Sequence, residues 1–184
     1  MNLKLAFFAS GNGSNVEAIL KNIKNKILDA EAKIIITNNP NARVLDVARN
    51  YNVDCAYLQN NQTEEILQTL HDHDVNLVIL AGYLKKINEE IIENYSILNI
   101  HPSLLPKYSG EGMYGKKVHE AVIKSTDQET GVTIHLVNSE YDQGKILAQR
   151  KVDRYPDDTT DSLAERVLKC EHTFYSQVLR NIQK

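Results

Sequence analysis

Short apolar runs alternate with stretches of helical periodicity along most of this chain, and no other feature restricts its fold as much. Residues 3–9, 33–37, 54–58 and 76–81 read as strands. Between them, residues 14–26, 42–51 and 63–73 read as helices, the first with its apolar stripe at Val16, Ile19, Leu20 and Ile23. Thr63-Glu64-Glu65 reads as an N-cap followed by an acidic first turn. The run 76–81 is continuously apolar, as strands buried on both faces of a parallel sheet are. This rhythm predicts an α/β fold: an open, mostly parallel, Rossmann-like sheet with helices on both faces.

Further along, residues 88–95, 116–124 and 160–182 read as helices and 96–100, 131–138 and 145–153 as strands. The loop 107–115 carries glycines at 110, 112 and 115, and Thr159-Thr160-Asp161-Ser162 offers several caps for the last helix. No repeat, linker or low-complexity stretch divides the 184 residues, so one domain, 1–184, is expected. A net charge of -3 argues against a basic nucleic-acid surface. The apolar runs are too short to span a bilayer, and residues 3–9 lack the h-region and cleavage site of a signal peptide. Cys55 and Cys170 form no CxxC pattern and read as free thiols in a reducing cytoplasm.

Chemistry concentrates at Asn99-Ile100-His101-Pro102-Ser103-Leu104-Leu105-Pro106. Side chains at i and i+2 of a strand share one face. Asn99 and His101 therefore stand together at a strand end that Pro102 terminates and Pro106 stiffens. An amide donor beside an imidazole can polarise a carbonyl and move a proton, though a purely structural turn satisfies the same residues. The loop Ser10-Gly11-Asn12-Gly13-Ser14-Asn15 follows the first strand and opens the first helix, where unpaired N–H groups can seat a phosphate. It is no dinucleotide fingerprint, because Val16 occupies the third glycine position and Thr37-Asn38-Asn39 supplies no acidic residue. It also lacks the Gly-Lys-[Ser/Thr] of a Walker loop. A tight turn capped by Ser14 remains the alternative.

His135, in Val132-Thr133-Ile134-His135-Leu136, precedes Asp142 by seven residues. A carboxylate near an imidazole favours the imidazolium, as an acid working near neutrality requires; a turn aspartate before Gly144 is the plainer alternative. His119-Glu120 does not continue into HExxH, so no metal site is expected. His71 and His73 diverge on a helix and read as solvated surface.

The octapeptide resembles the signature of the folate-dependent formyltransferases, and the likeness runs from Leu3 to about Tyr175. The Gly11-Asn12-Gly13-Ser14-Asn15 loop is similar to that of members acting on glycinamide ribonucleotide. The resemblance implies transfer of the formyl group of 10-formyltetrahydrofolate to that substrate's amine, with Asn99, His101 and Asp142 catalytic and Asp142 raising the pKa of His101 to keep it charged. It implies that Gly13, Ser14, Asn15 and Glu171 bind the ribonucleotide. Leu84, Lys85, Lys86, Ile87, Asn99 and His135 would line the folate side. Many members carry Met-Arg-Ile-Leu where this chain has Leu84-Lys85-Lys86-Ile87, and some carry an arginine where it has Gln59-Asn60-Asn61-Gln62. Small-molecule substrates, a cytoplasmic place and a monomer or homodimer are expected.

Members acting on methionyl-tRNA carry a C-terminal barrel, and formyltetrahydrofolate hydrolases carry an N-terminal regulatory domain; neither is expected here. A hydrolase, a non-catalytic nucleotide- or folate-binding module and a sugar-nucleotide formyltransferase are the rival readings.

Overall fold

The computed structural model describes residues 2–59 and 62–183. Asn60 and Asn61, within the arginine-free stretch noted above, lie outside the described residues. The first half runs β1 (Leu3–Phe8), α1 (Ser14–Lys24), β2 (Ala30–Thr37), α2 (Val44–Tyr51), β3 (Asp54–Tyr57), α3 (Thr63–Asp72) and β4 (Leu77–Leu80). The second runs α4 (Glu89–Asn94), β5 (Ile97–His101), α5 (Lys116–Lys124), β6 (Glu129–Leu136), β7 (Ile146–Asp153) and α6 (Thr160–Ile182).

Among the described residues seven strands form one sheet in the order β3-β2-β1-β4-β5-β6-β7. The first five in space are parallel, while β6 is antiparallel to both β5 and β7. Period-2 alternation sends the strand residues to two cores. Leu5, Phe7, Ile35 and Ile79 join Val16, Ile19, Val44, Val167 and Phe174 on one face. Ala6, Phe8, Ile34, Ile36, Val78 and Leu80 meet Ile66, Leu70 and Ile91 on the other. The helices thus cover both faces, as the apolar rhythm requires.

Two helix starts differ from the sequence reading. Thr63 is the first residue of α3, and Gln62 at its cap position makes no side-chain cap bond. Gly13, rather than Ser14, occupies the cap position of α1. The last helix does use an expected cap: Thr159 and Ser162 close a reciprocal capping box. β2 begins at Ala30, ahead of the apolar run, because its first residues pair with β1 while remaining only partly buried.

Chain order reverses across the sheet between β1 and β4, and ligand crevices of open α/β sheets lie beyond the strand ends at such a switch. Ser10 and Gly82 leave β1 and β4 there, tied by a Ser10 N–H to Gly82 carbonyl bond of 3.1 Å.

Candidate active site

A cavity of about 660 Å³ opens at this edge, within the size of small-molecule sites. Asn99, His101, His135 and Asp142 line it together. The i, i+2 spacing puts Asn99 and His101 on one face of β5, and the antiparallel register sets Asn99 opposite His135. The Asn99 amide donates to His135 Nε2 at 3.1 Å. His135 Nδ1 lies 2.8 Å from the Leu136 carbonyl, which can only accept, so Nδ1 carries the proton and Nε2 takes the Asn99 bond. The amide has a second N–H, available to the cavity.

His101 is almost fully buried, and its Nε2 donates to the Tyr108 carbonyl at 2.8 Å. That leaves Nδ1 as the atom where its proton comes and goes. Asp142 Oδ1 stands 3.6 Å from His101 Nδ1 and also 3.6 Å from His135 Nε2, so one carboxylate oxygen faces both rings. The other oxygen accepts the Gly110 N–H at 3.1 Å. Asp142 sits in left-handed backbone, φ 56, which aspartate tolerates better than most residues. Its turn closes on Gly144, where a Cβ would lie 1.7 Å from the Leu136 carbonyl oxygen, so only glycine fits.

The expected raised pKa of His101 is not found. Burial depresses it, and the Asp142 charge and the Tyr108 carbonyl recover only part of that loss. Asp142 is itself pushed up by burial, but the neighbouring His135 and His101 rings and the Gly110 N–H bring it below the ordinary carboxylate value. The free protein therefore presents a neutral His101 facing an ionised Asp142.

The turn that carries these groups is pinned by residues the sequence reading passed over. Thr133, opposite His101 on β6, donates to the Ser103 carbonyl at 2.7 Å and accepts the Leu105 N–H at 3.0 Å. Gln149 on β7 donates to Thr133 Oγ1 and to the Leu105 carbonyl, each at 2.9 Å. Tyr108, whose carbonyl orients His101, is fixed in turn by its hydroxyl on Asp127 at 2.9 Å. Thr133 stands two residues before His135 on one strand, a spacing too common to single it out, and Gln149 and Tyr108 carry no distinguishing sequence signal.

The 82–87 segment forms another wall. Leu84, Lys85, Lys86 and Ile87 all line the cavity, with Ile87 buried and the other three exposed. The Ser10 hydroxyl accepts the Leu84 N–H at 2.9 Å and donates to Asn38 Oδ1 at 2.6 Å, fastening this wall to the glycine loop. Lys86 Nζ lies 5.9 Å from the centre of the Tyr141 ring, linking the wall to the Asp142 turn.

On the helical side of the cavity, Asn15 of α1 donates to Glu171 Oε2 of α6 at 2.7 Å, and both line the cavity. Glu171 is 7% exposed, not the surface glutamate its place on a long helix allows. Burial pushes its carboxyl up to about 7, against the Asn15 hydrogen bond. Gly13, the cap of α1, and Ser14, its first residue, are not among the cavity-lining residues. Gly13 has φ +72, and a Cβ there would lie 2.5 Å from Val44 Cγ2. Of the remaining histidines, His71 is exposed as expected, whereas His73 is partly buried with Nδ1 on the Thr69 carbonyl at 2.8 Å. Among the described residues no group of three His, Cys, Asp or Glu side chains is placed to hold a metal ion, and no helix is long and apolar enough to cross a membrane.

The family model described as "Formyl transferase" matches residues 3–179. The chain is similar to the chloroplastic phosphoribosylglycinamide formyltransferase of Vigna unguiculata, 42% identical over 185 residues covering 96% of this chain and 59% of that one. It thus spans about three-fifths of that relative's length. The phosphoribosylglycinamide formyltransferase of Bacillus subtilis (strain 168) is 33% identical, over 97% of this chain and 94% of its own. Among solved structures, glycinamide ribonucleotide transformylase 1 from Geobacillus kaustophilus superposes with a TM-score of 0.91 at 33% identity, all of each chain being covered.

Proposed function

The chain belongs to the formyl transferase family, and we propose that it transfers the formyl group of 10-formyltetrahydrofolate to the amine of glycinamide ribonucleotide. The observation that carries this reading is the convergence of Asn99, His101 and Asp142 on one cavity, which the Asn15–Glu171 pair also lines. The names of its similar relatives point to formyl transfer onto phosphoribosylglycinamide.

The donor side suits a flat, partly apolar ligand. Ile87, Ile100 and Val137 supply apolar surface, with Asn99, His135 and Asn138 as nearby polar groups, and the Tyr83 hydroxyl is buried without a partner among the described residues. Leu84, Lys85, Lys86, Ile87, Asn99 and His135 hold this ligand. When bound, the formyl donor supplies the electrophilic carbon.

The residues of the chain then do four things. The second N–H of Asn99 meets the formyl oxygen, where negative charge grows during attack. Asn99 is preset for this because His135 fixes the amide from behind. His101 exchanges a proton at Nδ1, and Asp142 stabilises the ring when that proton is present. A neutral resting His101 can first accept a proton from the attacking nitrogen and then deliver one to the departing nitrogen, so the ring ends as it began. Gly13, Ser14 and Asn15 offer the N–H groups of the α1 start to the phosphate, and Glu171 accepts from ribose hydroxyls. No step calls for a metal. The chain acts on small molecules in a cytoplasm or a compartment of similar redox poise, as a monomer or homodimer.

Mixing the protein with 10-formyltetrahydrofolate, with and without glycinamide ribonucleotide, tests the reading. Deformylation only with the ribonucleotide is the expected result. Equal turnover without it would establish a hydrolase, and binding of both ligands without turnover a silent module.

A further inference from the structure

His119 is not used in the mechanism above, yet it lines the same cavity and is only 6% exposed. It lies within the first half of α5, just after the glycine-bearing loop 107–115. Its Nδ1 is buried with no hydrogen-bond partner among the described residues. A buried N–H without an acceptor is costlier and rarer than a buried lone pair, and a buried unpaired charge is costlier still. Nδ1 therefore carries the lone pair, and the ring proton sits on Nε2, the polar atom left for the cavity. Other ionisable groups line the same cavity: His101 from β5, Glu111 from the loop, Lys116 from α5, and Asp161 and Glu171 from α6. Burial, reinforced by repulsion from His101, holds His119 below the usual imidazole value, so the neutral form persists. His119 stands on α5, and the α6 residues Asp161, Ala164 and Glu171 line the same cavity.

We propose that His119 is a specificity-determining contact whose Nε2–H donates to the amide carbonyl oxygen of the ribonucleotide, between its ribose and its amine. This rests on the transferase reading. The chemistry suits that atom. A neutral donor binds an uncharged carbonyl without the desolvation cost of a buried cation, and it does not compete with His101 for a proton. The phosphate, by contrast, is met by the N–H groups of α1.

Two variants and one spectrum test this. His119→Leu removes the donor, while His119→Gln returns an amide N–H near the position of Nε2. His119→Leu is expected to lower kcat/KM for glycinamide ribonucleotide about 10-fold, mainly through KM, with the KM for 10-formyltetrahydrofolate unchanged and His119→Gln recovering most of the loss. Equal losses in both variants, or an equal effect on the folate, would mark His119 as structural and overturn the assignment. Imidazole NMR of the unaltered protein decides the matter even where His119→Leu fails to fold. His119 should show a neutral Nε2–H signature at neutral pH, and that proton should move downfield when glycinamide ribonucleotide is added without folate. An imidazolium at neutral pH, or a resonance indifferent to the ribonucleotide, would sink the proposal. A wild-type protein that binds the ribonucleotide through His119 but never formylates it would instead remove the transferase reading and leave the contact standing.

Discussion

The two ends of the cavity are built on opposite principles. At the Asn99 end, each ring nitrogen of His101 and His135 faces a hydrogen-bond partner or a carboxylate, and both Asp142 oxygens face a donor or a ring nitrogen. Along the helices α1, α5 and α6, Asn15 Oδ1 and His119 Nδ1 are buried without partners among the described residues, and Glu171 is driven toward neutrality. A satisfied network is fixed before substrate arrives, which is what charge stabilisation in a transition state needs. An unsatisfied one holds groups out of water until a ligand or a proton meets them. The first end is preorganised for chemistry and the second for recognition.

The largest expected effect tests the chemical end. Asn99→Ala should lower kcat by roughly 10²–10³ with little change in the KM for the ribonucleotide. Full activity in steady-state kinetics would take Asn99 out of the mechanism.

The recognition end should respond through stability. Glu171 carries a folded-state pKa of about 7 against an ordinary 4.5. Below pH 4.5 both folded and unfolded forms are protonated and no cost arises. As pH rises toward 7 the unfolded chain ionises freely and the folded one does not, so stability is lost, by at most about 3 kcal/mol. Glu171→Gln removes that loss. Thermal melts should show the variant more stable than the native chain at pH 8 but not at pH 4, and a gain independent of pH would contradict the burial argument.

Gly13→Ala should cost about 1–2 kcal/mol from the left-handed backbone alone, with crowding against Val44 added. The kinetic signature is a raised KM for the ribonucleotide and a spared kcat. Equal loss of both would mean that the two ends are not separable.

The smallest effect is on titration. Asp142→Asn removes a charge that raises the His101 pKa, so His101 should titrate at still lower pH in NMR. An unchanged titration would mean that the 3.6 Å approach carries no coupling.

Much of this molecule is local and therefore legible in the sequence. The strand–helix rhythm yields the two-faced sheet because burial on both faces demands continuous apolar runs, and the extent of α6 follows from its caps and periodicity. Asn99 and His101 share a face because a strand has period two. The glycine loop lies where it does because a strand must turn into a helix there. Other features depend on what packs against a residue. Nothing near Glu171 in sequence says that α6 presses it against Asn15 of α1, 156 positions away. Nothing near His101 says that its desolvation outweighs the pull of Asp142. The tie from Thr133 and Gln149 to the 103–105 turn depends on the β5–β6–β7 register. Sequence by itself determined the elements, the strand-end Asn and His and the loop before α1, since those follow from backbone geometry and burial along the chain. Only the tertiary structure decided which polar atoms are satisfied and which are kept waiting, because desolvation and hydrogen-bond partnership belong to the whole packed neighbourhood of a group.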